Sequence, residues 1–237
     1  MSGLLEDILK SGFEELGLAV DERAADRYRT YYEYLEEINK VMNLTAISGE
    51  EDVARLHFLD CAALAAQLPV DGKRLIDVGT GAGFPGLALK IACPGLSLTL
   101  LDSLDKRVNF LKNCCERLGF EDVKCIHARA EEAAADMRES FDIASSRAVA
   151  RLNLLSELCL PFVKVGGYFA AMKGPDCEEE INEAKRGIGM LGGKIEKKID
   201  YTVPGTDIVH SIVLIKKVKS TPAKYPRRWA QIKKQPL

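Results

Sequence analysis

Apolar side chains recur every three or four positions through the first quarter of the chain. Leu4, Leu5, Ile8, Leu9, Phe13 and Leu16 fall at helical spacing, as do Tyr28, Tyr31, Leu35, Ile38 and Met42. Ser48-Gly-Glu-Glu51 has the form of a capping box, in which the Ser side chain accepts from the backbone while Glu51 reaches back. It predicts a further helix carrying Val53, Leu56, Leu59 and Leu64. No strand pattern precedes residue 74, so residues 1–70 read as a helical N-terminal extension.

After Asp71-Gly72 the texture changes to strands alternating with helices. Strands are predicted at Arg74–Val78, Ser97–Asp102, Val123–Ala128, Asp142–Ser146 and Tyr168–Met172, with helices at Gly86–Cys93, Lys106–Leu118, Glu131–Met137, Leu152–Val163 and Glu178–Met190. Such alternation requires parallel crossovers, hence a mostly parallel sheet with helices on both faces. Lys194–Val203 and His210–Val218 are separated only by a Pro204-Gly205 turn region, which leaves no room for a helix and predicts an antiparallel hairpin. An α/β, Rossmann-like sheet of five parallel strands ending in an antiparallel hairpin is similar to the class I methyltransferases, a likeness of fold alone. Residues 71–219 form this second unit, and 220–237 a C-terminal tail.

Composition narrows the class without naming a function. With 237 residues, 47% hydrophobic and 29% charged, the chain is long enough to bury a full core and is neither disordered nor fibrous. No apolar run approaches the roughly 18 to 20 residues of a membrane span, and no basic start leads into an apolar stretch as in a secretory signal. The seven cysteines lack metal-type spacing and read as reduced, mostly buried thiols in a cytoplasmic protein. The net charge of −2 conceals an asymmetry: residues 216–237 carry eight basic side chains and no acid, leaving the rest with 25 basic against 35 acidic. An acidic body with a local basic segment cannot coat nucleic acid at random but can grip phosphates at one place.

The candidate chemistry begins where the first predicted strand ends, in Asp77-Val-Gly79-Thr-Gly81-Ala-Gly83-Phe84-Pro-Gly86. Glycines between strand and helix permit positive φ and let a ligand approach the main chain. Asp102, 21 residues past Gly81 at the end of the second strand, stands where a carboxylate accepts ribose hydroxyls. Asp77 before the glycines would repel a pyrophosphate but can face the amino end of a methionine. The order acid-x-Gly-x-Gly and the terminal hairpin therefore favour S-adenosylmethionine (SAM) over NAD. A third cofactor contact is expected after the third strand, at Ala130 and Glu131. Arg147, at the carboxyl edge of the fourth strand, suits a buried ion pair or a cation facing substrate, and its location favours the second.

Neighbouring chemistries lose support. There is no Asn/Asp-Pro-Pro-aromatic motif of amine methylation, Cys61 and Cys159 read as packing residues, and His57, His127 and His210 are scattered, so no metal is expected. An acceptor that is already nucleophilic remains, and guanine N7 is permitted though not selected, since its lone pair needs no deprotonation.

Asn43-Leu-Thr45, His57-Phe-Leu-Asp60, Val78-Gly-Thr-Gly-Ala-Gly-Phe-Pro-Gly86, Leu101-Asp-Ser-Leu-Asp-Lys-Arg107, Ser146-Arg-Ala148 and Lys173-Gly174 occur in this order across nearly the whole chain. On these motifs the sequence resembles the GidB/RsmG family of bacterial 16S ribosomal RNA guanine-N7 methyltransferases. Cys61 departs from the Ser usual after the Asp. The resemblance implies SAM held by Gly79, Phe84, Ala130, Glu131 and Arg147, and a guanine of the 16S decoding-region loop as acceptor. It also sets His57 and Asp60 near the cofactor mouth. His57 otherwise reads as a helix-surface residue bonding Asp60. Lys106 and Arg107 suit phosphate binding or an ordinary helix surface, and Lys173 a phosphate beside the target base, with Arg147 and Lys173 positioning substrate and no general base expected.

The tail carries Lys224, Tyr225, Arg227, Arg228 and the sole Trp, Trp229, among prolines that block a helix. Charge mixed with aromatic faces suits single-stranded RNA, so the tail is expected to add RNA affinity without choosing the base. The expected partner is 16S rRNA, the small ribosomal subunit or its assembly intermediate, with no membrane and a monomeric enzyme. Alternatives left open are a SAM enzyme for a small molecule or protein, a NAD-dependent oxidoreductase, and a non-catalytic RNA-binding module.

Overall fold

In this computed structural model residues 3–147 and 150–237 are described. Helices α1 (Leu4–Glu15) and α2 (Glu22–Met42) form on the expected apolar stripes. Asp21 caps α2 by accepting from Ala24 N at 2.7 Å, and Asn43, with φ +48°, closes it in the left-handed region. The capping box at Ser48 does not form: Gly49 takes the N-cap position with φ +87°. Glu50 instead accepts from Leu5 N at 2.8 Å and Arg29 at 2.6 Å, and Glu51 pairs with Arg55. Ion pairs to neighbouring groups outcompete the local box. Helix α3 (Glu50–Val53) continues through a π-helical segment, Ala54–Leu59, into α4 (Asp60–Gln67).

The sheet has the order β3-β2-β1-β4-β5-β7-β6 among the described residues. Strands β1 (Arg74–Val78), β2 (Ser97–Asp102), β3 (Lys124–His127), β4 (Phe141–Arg147) and β5 (Val163–Lys173) run parallel. The closing hairpin, β6 (Gly193–Thr202) and β7 (Val209–Lys217), is antiparallel, and β7 inserts beside β5. Helices α5 (Gly86–Ala92), α6 (Asp105–Arg117), α7 (Ala130–Ala133), α8 (Leu152–Cys159) and α9 (Glu178–Met190) fill the crossovers. Three elements differ from the sequence pattern by more than a residue at an end. β5 starts five residues early, because Val163 pairs with Phe141 ahead of a bulge. α7 is a single turn. The stretch Leu152–Val163 leaves the α-helix at Cys159 for a 3₁₀ turn around Pro161.

Both faces are covered, as a parallel sheet requires. On one face Leu75, Leu98 and Leu100 share a core with Leu5, Phe13, Tyr28, Tyr31 and Phe58 of the N-terminal helices. On the other, Ile76, Val78 and Leu101 pack with Leu155, Phe162, Val213 and the tail residues Tyr225 and Ile232. The tail is thus part of the fold, contrary to expectation, and Trp229–Lys234 forms a short helix, α10. Arg138 donates to the carbonyls of Thr221, Pro222 and Tyr225, and Arg227 closes a two-pronged pair on the fully buried Glu157 at 2.6 and 2.8 Å. The cysteines are all unpaired thiols, five of the seven buried. Among the described residues no helix is long and apolar enough to cross a membrane.

Candidate active site

The carboxyl ends of β1, β2 and β4 meet at the glycine loop. Gly79, Gly81 and Gly83 have φ of +69°, +61° and +104°, a sequence of left-handed residues that turns the chain from strand into helix. A Cβ on Gly83 would lie 2.5 Å from the Tyr31 hydroxyl, so this position requires glycine for space as well as conformation. Asp77 holds the loop from below: Oδ2 accepts from Thr80 Oγ1 (2.6 Å) and Gly86 N (2.9 Å), and Oδ1 from Ser145 Oγ (2.9 Å). It is fully buried, which pushes its carboxyl up against the pull of these donors. The expectation that Asp77 faces a ligand is corrected here: its oxygens are committed to shaping the loop.

Above the loop lies a cavity of about 440 Å³ lined by Gly79, Thr80, Gly81, Ala82, Phe84, Asp102 and Arg107. Beside it, a smaller one of about 200 Å³ is lined by Ala128, Ala130, Glu131, Leu158 and Trp229. Gly79, Asp102 and Ser103 belong to both. Asp102 accepts from Gly81 N at 3.0 Å and Leu104 N at 2.9 Å, and Arg107 stands 3.5 Å away. Each carboxylate oxygen has a second lone pair, so Asp102 keeps capacity for ligand hydroxyls at the point where the cavities join. A polar chamber, a carboxylate at the neck and a half-apolar slot fit, in order, the amino-acid end, ribose and adenine of SAM.

On its other side the loop cavity meets a third and larger one, of about 640 Å³. Thr45, His57 and Arg147 line both. Arg147 donates to Leu56 O (3.0 Å), Asp60 Oδ2 (2.8 Å) and His57 Nδ1 (2.7 Å), with its guanidinium 5.0 Å above the Phe84 ring. A guanidinium can only donate, so His57 Nδ1 is the bare nitrogen and Nε2–H donates to Thr45 Oγ1 at 2.8 Å. Burial, and next the Arg147 charge, push His57 down to about 3 and keep the imidazole neutral. Asp60 Oδ1 accepts from Tyr201 (2.6 Å) and His210 (2.7 Å). Burial works against the Asp60 charge, but the His210 hydrogen bond, Arg147 and Tyr201 outweigh it and hold the carboxyl below its usual range.

The structure therefore gathers Gly79, Gly81, Phe84, Asp102, Arg107, Arg147 and His57 around one cavity, with Ala130, Glu131 and Trp229 next to it. Other expectations are corrected. His57 is 5% exposed and stacked on Phe84 at 4.2 Å, not a helix-surface residue bonding Asp60. Lys173 lines the larger cavity, but its ammonium is engaged by Glu180 at 2.7 Å and Ala150 O at 2.6 Å, which removes the free charge expected for a phosphate. Arg227 is spent on Glu157, and Trp229 turns inward to the small cavity instead of offering its ring outward. Lys106, Lys224 and Arg228 are exposed and line none of these three cavities, and Gly83 lies under the loop. Sequence reasoning missed Tyr201, His210, Thr45 and Glu180. A signal for the first two existed, because the hairpin register sets Tyr201 directly opposite His210 on one sheet face.

The O-methyltransferase from Bacillus cereus, solved in complex with SAH, superposes with a TM-score of 0.58 at 14% identity, covering 90% of this chain and all of that one. TrmN from Thermus thermophilus gives 0.56 at 16% identity, covering 76% and 53%. With its seven-stranded, mostly parallel sheet and glycine loop, the molecule has the class I SAM-dependent methyltransferase fold. Residues 25–203 match the GidB family, described as rRNA small subunit methyltransferase G. Relatives of that same name from Alkaliphilus metalliredigens (strain QYMF) and Clostridium botulinum (strain Loch Maree / Type A3) are 50% and 47% identical, over 97% and 98% of this chain and 98% of each relative. The chain belongs to this family.

Proposed function

We infer that the protein transfers the methyl group of SAM to N7 of a guanine in 16S ribosomal RNA, acting on the small subunit or an assembly intermediate as a cytoplasmic monomer. Bound SAM supplies an electrophilic methyl on a sulfonium. In this reading Gly79, Gly81 and Phe84 hold its methionine end, Asp102 its ribose, and Ala130 and Glu131 its adenine edge. Arg147 fixes the wall through which donor and acceptor meet.

The observation that carries the choice of acceptor is the state of that wall. Both His57 nitrogens are engaged, the bare Nδ1 by Arg147 and Nε2–H by Thr45, and the Arg147 guanidinium can only donate. Within the wall itself, Thr45, His57 and Arg147, no basic atom is left to take a proton. Guanine N7 has none to lose, whereas a hydroxyl or exocyclic amine does; positioning suffices for an in-line displacement.

The test incubates the protein with methyl-labelled SAM and unmodified 16S RNA, naked and as small subunits, followed by borohydride and aniline, which break the strand at N7-methylguanosine. A single cleavage in the decoding-region loop supports the reading. Label without cleavage overturns the N7 assignment, and no label on either substrate overturns the rRNA substrate.

A further inference from the structure

The larger cavity has no assigned occupant, and its chemistry is arranged in two unlike ends. We propose that it is the binding site for the purine ring of the target guanine, with Glu180 reading the Watson–Crick edge and Thr45 the O6 atom; the proposal rests on the guanine-N7 reading above. The donor's chamber lies on the glycine-loop side of the Thr45–His57–Arg147 wall, so the acceptor must come from the other side. There the cavity, about 640 Å³, is of the size that encloses small organic groups, roughly 300–1,000 Å³. Ile47, Leu56, Met172 and Ile208 give it apolar walls suited to a flat ring taken out of its stack.

With N7 at the wall, the rest of the base is oriented by its own covalent structure. O6 lies next to N7 and needs a donor. The Thr45 oxygen already accepts from His57 Nε2 and from Ile47 N at 3.0 Å, and its own proton is uncommitted among the described residues. The opposite edge of guanine presents the N1 and N2 hydrogens and needs an acceptor. Asp60 is the poorer acceptor, almost wholly buried and already holding Arg147, Tyr201 and His210. Glu180 is the better one: Oε2 alone accepts from Leu152 N (2.9 Å) and Lys173 (2.7 Å), while Oε1 has no partner among the described residues. One oxygen anchors the side chain, which leaves the other for a ligand in the cavity that Glu180 lines. Lys173 is then a positioning residue that orients Glu180 instead of a phosphate contact. Adenine would meet the same carboxylate with the lone pair of N1, so the arrangement discriminates between the purines.

The experiment compares kcat/KM on small subunits reconstituted with guanosine or with inosine at the mapped target, for the natural enzyme and for Glu180→Gln. Inosine keeps N7, O6 and the N1 hydrogen but lacks the N2 amino group. The natural enzyme should use inosine about 10-fold or more less efficiently, as expected for one hydrogen bond to a charged acceptor. In Glu180→Gln the amide oxygen stays with Leu152 and Lys173 and the amide hydrogens face the base. Guanosine use should fall and the two substrates should come within about 2-fold of each other. A variant that keeps the natural ratio overturns the proposal. Calorimetric titration with SAM verifies that the variant is folded; if it binds none, the natural enzyme decides alone, because equal use of the two bases overturns the assignment. Methylation at an atom other than N7 would overturn the functional reading itself, an outcome distinct from any change in the ratio.

Discussion

His57 refuses a proton that it would take in water. Its native value near 3 lies below the 6.5 of a free imidazole, because burial and then Arg147 disfavour the cation. Between these values the unfolded chain binds a proton that the native one excludes, so this group's contribution to stability is present above pH 6.5 and lost as pH falls toward 3. At pH 5 the loss amounts to about 2 kcal/mol. His210 has the opposite sign: the hydrogen bond to Asp60 raises its value, so its contribution is full below its unfolded value and fades as pH rises through the native one. Urea unfolding at several pH values should therefore show a shallower acid-side decline for His57→Gln than for the natural chain; an unchanged slope would mean His57 titrates normally. Asp60→Asn should cost about 3–5 kcal/mol in the same assay, since it leaves Arg147 buried without its counter-charge. None of this hub beyond Arg147 and the His57 motif was legible in the sequence. Tyr201 and His210 face each other across β6 and β7, but no local spacing connects that pair to the His57–Asp60 motif.

At the scale of elements, periodic segments were legible and charge-rich ones were not. β1, β2 and α9 begin and end where their side-chain pattern does, because alternation or helical spacing follows directly from which faces are buried. The glycine loop was equally readable, since positive φ demands the residue type. It yields a graded prediction: Gly83→Ala meets Tyr31, Leu87 and Leu111 within about 3 Å, whereas Gly81→Ala meets nothing within 4 Å. The first should lower stability by about 1–3 kcal/mol and weaken SAM binding, the second by about 1 kcal/mol from backbone strain alone. Equal unfolding midpoints for the two variants would contradict the packing argument. The tail was misread because composition counts charges but not their partners, and Glu157 lies 70 residues upstream of Arg227. Arg227→Ala should thus behave as a folding mutation, costing about 3–5 kcal/mol, while Lys224→Ala with Arg228→Ala, both exposed, should leave stability within about 0.5 kcal/mol. If these two side chains neutralise RNA phosphates, the double variant should flatten the salt dependence of RNA binding by about 0.7 for each phosphate left without its cation.

For the molecule as a whole, the question is whether the N-terminal helices are an accessory or part of the donor chamber. Tyr31 donates to Ala82 O at 2.5 Å and stacks on Phe84 at 5.3 Å; Tyr28 donates to Ala88 O at 2.8 Å, and Arg27 to Leu118 O at 3.0 Å. The first two contacts rest on the glycine loop itself. Leu5, Phe13 and Phe58 share one core with Leu87 of α5, Leu111 of α6 and Leu98 and Leu100 of the sheet, so removing the N-terminal helices would bare part of that core. Residues 1–70 and 71–219 should accordingly unfold as one cooperative unit, although the change of pattern at Asp71 marks two segments in the sequence. Far-UV circular dichroism, dominated by the helices, and fluorescence of Trp229, reporting the opposite face, should give the same midpoint. SAM at a hundred times its dissociation constant should raise that common midpoint by the equivalent of about 2.7 kcal/mol. Two separated transitions, with SAM moving only the later one, would instead make the helices an independent unit and remove Tyr31 from any part in shaping the loop.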